Sequence, residues 1–125
     1  MIVREGHRQG VVHMVVTHAM LPPVSMTVAQ MRGAAEEGAY LEFVYNGLIG
    51  PNQSNSMHDY AEAIRQVGPR WCILASDLGQ AGNPLHPDGL AVFFEGLMRE
   101  GISAADIALM SKINPARALG LPENY

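Results

Sequence analysis

Three continuous apolar runs alternate with segments of helical periodicity, and this alternation constrains the fold more than any other feature. The runs predict strands at 11–18, 39–45 and 71–76. Apolar strands that alternate with helices are typical of parallel sheets joined by right-handed crossovers. The sequence therefore predicts an α/β fold of parallel β-α-β-α-β-α units, in a single domain over residues 1–125.

Local signals mark where the helices begin. Thr27 with Gln30, and Ser56 with Asp59, are capping-box patterns in which a side chain at the helix start and one three residues later satisfy each other's backbone amides. A helix is predicted over 88–100, ending at Gly101. The remaining expectations are a short helix from Ser103 to about Lys112, a last helical turn with Asn114 as its N-cap, an exposed turn-rich loop at 46–55, and little periodicity in residues 1–10.

Composition excludes several classes of function. The net charge is -4 and no basic cluster is present, which argues against nucleic acid or an anionic membrane as the main partner. No apolar run approaches the ~20 residues that a membrane-spanning helix needs. The single cysteine, Cys72, cannot form an internal disulfide and fits a reducing compartment, so we expect a cytoplasmic protein.

Titratable side chains lie at or near the ends of the three predicted strands. His18 ends the first strand and Asp77 follows the third, where a parallel sheet binds its ligands. His18 is a candidate metal ligand or general base, or else a histidine hydrogen-bonded at a strand end. Asp77 is a candidate metal ligand or proton acceptor, or else a cap of the following turn.

Three further residues are candidates for substrate contacts or for supporting roles. Glu42 lies within an apolar run, where a carboxylate is costly unless it is paired, although an edge position facing solvent is the alternative. His58 and His86 lie in the loops after the second and third strands, or just inside the next helices. Each is either a substrate contact or a surface histidine. No glycine-rich phosphate loop and no G-x-S-x-G elbow is present.

Three segments together resemble the amidohydrolase superfamily of metal-dependent hydrolases. They are V-V-T-H-A at 15–19, I-L-A-S-D-L-G-Q at 73–80 and N-P-A-R-A-L-G-L at 114–121. The resemblance implies the last three strands of a (β/α)₈ barrel, with the site at the C-terminal ends of the strands. It also implies hydrolysis of an amide, ester or lactone-type bond in a small-molecule substrate, by water activated on a divalent metal, in this family most often zinc.

The same resemblance assigns residues to roles. His18 matches the histidine that ligates metal after the sixth strand, and Asp77 matches the aspartate after the eighth, which binds metal and takes the proton of the attacking water. Glu42 matches a recurrent carboxylate with no assigned role.

The chain departs from the family pattern in length and in ligands. Barrels of this type run to ~250 residues, whereas this chain has 125 and lacks the H-x-H pair of the first strand. Two ligands predict weak metal binding or none, because a catalytic zinc usually has three protein ligands. We therefore expect an incomplete barrel, the C-terminal portion of a longer gene, whose open sheet edges are covered by another copy of the chain. The alternative is a small α/β module that binds a ligand or partner without chemistry.

Overall fold

A computed structural model of the chain describes residues 2–122, apart from the side chain of Asn52. Within these residues, the strands β1 (Met14–Val16), β2 (Ala39–Val44) and β3 (Cys72–Ala75) form one parallel sheet in the order β1-β2-β3. Val16 pairs with Leu41, and Leu41 pairs with Cys72. The predicted α/β class with parallel strands is confirmed.

Helices connect and flank the strands. They are α1 (Ile2–Arg8), α2 (Val28–Glu36), α3 (Met57–Val67), α4 (His86–Arg99), α5 (Ala104–Ala108) and α6 (Asn114–Ala118), with 3₁₀ turns at Tyr45–Leu48, Gly50–Asn52 and Pro69–Trp71 and a π-helical turn at Leu109–Ile113. Helix α1 lies where the sequence predicts little periodicity, and Val3 is its buried residue. Among the described residues, no helix has the length and apolar character that crossing a bilayer requires.

The two predicted capping boxes are confirmed. Thr27 precedes α2 and accepts a hydrogen bond from the backbone amide of Gln30, whose side chain in turn accepts from the backbone amide of Thr27. Ser56 and Asp59 make the same reciprocal pair at the start of α3. These contacts fix both helix starts because they satisfy amides that have no partner within the helix.

The main core lies between the sheet and the helices α2 and α3. Leu41 and Phe43 of β2 are 0% and 1% exposed, and Cys72, their neighbour on β3, is 0% exposed. The ring of Phe43 meets the ring of Tyr60 on α3 edge to face, with 5.2 Å between the centroids. Helices α2 and α3 pack against each other, so they lie on the same face of the sheet.

Two predictions about strand ends and loops are wrong. The first strand ends at Val16, and His18 lies in a turn instead of continuing the strand. Residues 46–48, which begin the loop expected to be exposed, are buried. Gly47 explains this packing, because a Cβ there would stand 2.6 Å from both a methyl of Leu21 and the hydroxyl of Tyr60. This segment has a turn-like sequence, but its glycine packs closely against the core.

The prediction that Asn114 caps the last helix is also wrong. Its backbone is helical (φ -62°, ψ -42°), and the residue is fully buried. Its side-chain amide donates to the carbonyls of Pro69 at 2.8 Å and Cys72 at 2.7 Å, which ties the final helical segment to the start of β3. The helix continues through Pro115 because the wider π-helical turn before it accommodates a residue that cannot donate an amide hydrogen.

Candidate functional site

The side chains of His18 and Asp77 meet at the carboxyl ends of the strands. Each residue lies two positions beyond its strand, His18 after β1 and Asp77 after β3. Nε2 of His18 is 3.3 Å from Oδ2 of Asp77, and the side chains are 38% and 31% exposed. Parallel strands place their carboxyl ends at one edge of the sheet, so residues 59 positions apart in sequence come into contact.

Both residues have an unusual backbone conformation. The φ angle is 56° at His18 and 50° at Asp77, in the left-handed region. Histidine and aspartate tolerate this region better than most residues, at a cost of about 1–2 kcal/mol each. Such conformations persist where the surrounding structure holds them, and they concentrate at functional sites. The coincidence of two of them in one contact marks this edge of the sheet as the candidate site.

A closed ring of four hydrogen-bonded side chains holds Asp77. Asn46 donates to Oδ2 of Asp77 at 3.1 Å, and Gln80 donates to Oδ1 at 3.4 Å. The side-chain amide of Asn83 completes the ring by donating to Oδ1 of Asn46 at 3.4 Å and to Oε1 of Gln80 at 2.6 Å. Asn46 is itself 5% exposed. Hydrogen bonds to both carboxylate oxygens therefore fix the orientation of the Asp77 side chain.

A cavity of about 460 Å³ opens beside this pair. Its polar wall consists of His18, Asn46, Gln53, Ser54 and Asp77. The apolar wall consists of Leu21, Pro22 and Pro51. A concave site with a few convergent polar groups is the usual form of a small-molecule site.

The other three predicted site residues do not line this cavity. Glu42 lies in the middle of β2, before the carboxyl end of the strand. Its backbone carbonyl accepts a hydrogen bond from the amide of Ala19. His58 lies in the first turn of α3 and pairs with Glu100 at 2.9 Å, and this carboxylate raises the pKa of His58.

His86 is the first residue of α4, and it contacts the residue next to Asp77 in the chain. Its Nδ1 is 2.6 Å from the hydroxyl of Ser76, the residue that precedes Asp77. The structure places both His58 and His86 just inside helices, which is one of the two positions predicted for each. His86 thus contacts the segment that carries Asp77, whereas His58 pairs on the helical surface.

The described residues do not fit a complete catalytic metal site. His18 and Asp77 supply two donors, whereas a catalytic zinc usually has three protein ligands. Within residues 2–122, no group of three or more histidine, cysteine, aspartate or glutamate side chains is placed to hold a metal ion. Weak metal binding by this chain stays a prediction.

Sequence reasoning missed Asn46, although a signal was present. The residue is among the first polar ones after the second apolar run, as Asp77 and His18 are after the other two. A search for polar residues after each of the three strands would have selected Asn46. Asn83 and Gln80 carry no comparable signal, because their place in the ring depends on how the loop after β3 folds back.

Comparisons of the chain with protein-family models, with curated proteins and with solved structures found no match. The amidohydrolase assignment therefore stays a prediction from three short motifs.

Proposed function

We propose that His18 and Asp77, which meet at the carboxyl ends of the strands, form part of a hydrolase site of the amidohydrolase type. The observation that carries the proposal is the contact of His18 with Asp77 at 3.3 Å, just beyond the carboxyl ends of two parallel strands and beside a cavity. In this class a divalent ion, most often zinc, activates water for attack on an amide, ester or lactone-type bond. Because this chain supplies two ligands, we expect weak metal binding and little or no activity from the chain alone.

The role of Asp77 in this proposal is to accept a proton from the attacking water. A general base must present its acceptor oxygens to the water in a fixed orientation. Asn46 and Gln80 supply that orientation by donating to the two carboxylate oxygens. His18, whose Nε2 lies 3.3 Å from Oδ2 of Asp77, is the second candidate ligand.

We also propose that the sheet corresponds to the last three strands of a (β/α)₈ barrel. The strands are neighbours in their sequence order, and the helices α2 and α3 lie on one face. A doubly wound sheet reverses its strand order and carries helices on both faces, whereas a barrel keeps sequence order and helices on the outside. This arrangement therefore supports the barrel over the doubly wound alternative.

A zinc titration by calorimetry tests the hydrolase proposal. We expect the wild-type chain to bind one equivalent weakly and His18→Ala and Asp77→Asn to bind at least tenfold more weakly. His13→Ala is the matched control, because His13 is exposed and lines a different groove. Equal binding by wild type and His18→Ala would contradict the proposal.

The second candidate is a ligand-binding module without chemistry. The ring that joins Asp77, Asn46, Asn83 and Gln80 favours it, because a binding module is expected to satisfy its polar groups locally. Absence of zinc binding by the wild type, together with ligand binding in the cavity, would select this candidate.

We propose further that a second copy of the chain covers the edge of β1. Among the described residues, β1 has no further strand on its outer side. An apolar groove of about 680 Å³ lies along this edge. Val15, which lines this groove, is 42% exposed, and Val12, two residues before the strand, is 77% exposed. We expect Val15→Lys to shift a dimer to monomer in sedimentation, whereas Val92→Lys, on the exposed side of α4, should not. A monomeric wild type would contradict this proposal.

A further inference from the structure

We infer that the His18–Asp77 cavity takes an uncharged, hydrogen-bonding substrate, such as a carboxamide or polyhydroxy compound, and discriminates against carboxylates and phosphates. The inference rests on the proposed function in that it names the substrate class of the same site. It is carried by the chemistry of the cavity wall and by the positions of the chain's cations.

Among the residues that the structure describes, the cavity wall contains one carboxylate and no lysine or arginine. Among its residues, Asp77 is acidic, and Asn46, Gln53 and Ser54 are neutral donors and acceptors. The imidazole of His18 lies 3.3 Å from the carboxylate of Asp77. An anionic group entering the metal-free cavity would therefore meet the carboxylate of Asp77, with no lysine or arginine among the described lining residues to offset the repulsion.

The eight lysine and arginine residues all lie within residues 2–122, and none of them lines the cavity. Several are engaged elsewhere. Arg4 pairs with Glu37, Arg8 with Glu5 and Arg99 with Glu95, while Arg70 lies 4.7 Å over the ring of Trp71. Recognition of a carboxylate or phosphate usually recruits arginine or lysine, and this site has none at hand.

Helix N-termini offer no substitute for a cation. The two helices that begin after the loops of the site, α3 and α4, carry Asp59 and Asp88 in their first turns. The amides at the start of α3 are already engaged by the capping box. An anion at either helix end would compete with the chain's own carboxylate.

Carboxamide side chains instead provide matched donors and acceptors. Asn46 lines the cavity with a side chain that both donates and accepts, and Asn83 and Gln80 hold it and Asp77 in one ring. Neutral amide and hydroxyl groups can exchange hydrogen bonds with such a wall without a net charge. Leu21 and Pro22 add an apolar side against which a neutral ligand can pack.

A matched pair of probes tests the inference in metal-free protein. N-acetylglycinamide and N-acetylglycine differ only in a terminal carboxamide or carboxylate. We titrate each against isotope-labelled protein and follow the NMR signals of the Asn46 side-chain amide and the backbone amides of His18 and Asp77. We expect N-acetylglycinamide to bind at least tenfold more tightly than N-acetylglycine.

Two variants locate the source of the selectivity. Asp77→Asn removes the charge while keeping a residue that tolerates the left-handed backbone, and it should bring the ratio of affinities close to one. Asp88→Asn, an acid outside the cavity wall, should leave the ratio unchanged.

Equal or tighter binding of N-acetylglycine, an unchanged ratio in Asp77→Asn, or no response to either probe would overturn the inference. The zinc titration fails or succeeds separately, because the probe experiment contains no metal. A retained ratio without zinc binding would remove the hydrolase proposal and leave the substrate class standing.

Discussion

The two faces of the sheet are built from alternate residues of the same strands, yet they differ in burial. On the face toward α2 and α3, Leu41 and Phe43 are 0% and 1% exposed. On the opposite face, Tyr40 and Glu42 are partly exposed and Val15 of β1 is 42% exposed, whereas Val44 and Ile73 are 1% and 8% exposed. One oxygen of Glu42 is buried there without a hydrogen-bond partner among the described residues.

This difference shows that the strands are more apolar than their burial in this chain requires. Strands with a solvent-facing side usually alternate apolar and polar residues, whereas strands covered on both sides are apolar throughout. The runs here are apolar on both faces at most positions, with Glu42 as an exception, but the helices of this chain cover one face well. The second face therefore has the composition of a covered surface, which agrees with the barrel and the second copy proposed above.

The largest expected effect concerns the thiol of Cys72 on the helix-covered face. The residue is 0% exposed, and burial raises the pKa of its thiol to about 12. Labelling by a disulfide reagent should then require unfolding, which typically costs at least about 5 kcal/mol and slows the reaction by ~10³-fold or more. Native protein is compared with protein in urea, and rapid stoichiometric labelling of the native chain would show that this face opens easily.

A pair of truncations measures the difference between the faces directly. Phe43→Ala removes a buried ring that packs on Tyr60, and we expect it to lower the free energy of unfolding by about 3–5 kcal/mol. Tyr40→Ala on the opposite face removes a partly exposed ring that contacts Trp71 at 5.9 Å, and we expect about 1–2 kcal/mol. Urea denaturation of both variants checks the values. Equal losses would mean that the two faces are equally covered in solution.

Glu42 offers a smaller test of the open face. A buried carboxylate oxygen without a partner is unfavourable, so Glu42→Gln should raise the free energy of unfolding by about 1 kcal/mol at neutral pH. Glu36→Gln, an exposed glutamate on α2, is the control and should change little. A destabilised Glu42→Gln variant would show that the carboxylate has a cationic or hydrogen-bonding partner in solution.

The smallest effect is expected far from both faces, at the pair of His58 with Glu100. The carboxylate raises the pKa of His58 above its usual 6.5, so the folded state holds this proton more tightly than the unfolded state. The stabilisation is therefore fully present below pH 6.5 and is lost as pH rises through the raised value. His58→Gln should cost stability at acidic pH and almost nothing at alkaline pH. The difference should vanish in a Glu100→Gln background, and its persistence there would assign it to another partner.

Local elements were predictable where the deciding contacts span a few residues. The capping boxes of Thr27 and Ser56 form as predicted, and α4 begins at His86, two residues before the predicted start. Helix α1 and the burial of Tyr45–Leu48 were not predictable in this way. Each depends on packing against distant parts of the chain, as the close approach of Gly47 to Tyr60 shows.

By itself, the sequence determined the parallel α/β order, the capped starts of α2 and α3, and the polar residues that follow each strand. Periodicity, capping and turn preferences act over three or four neighbours, so a single chain of letters encodes them. Tertiary structure alone decided that Asn114 ties the last helix to a residue 45 positions away, and that Asn46 donates to an aspartate 31 positions away. It also decided which face of the sheet this chain covers, because burial depends on what packs across an element and not on the element's own sequence.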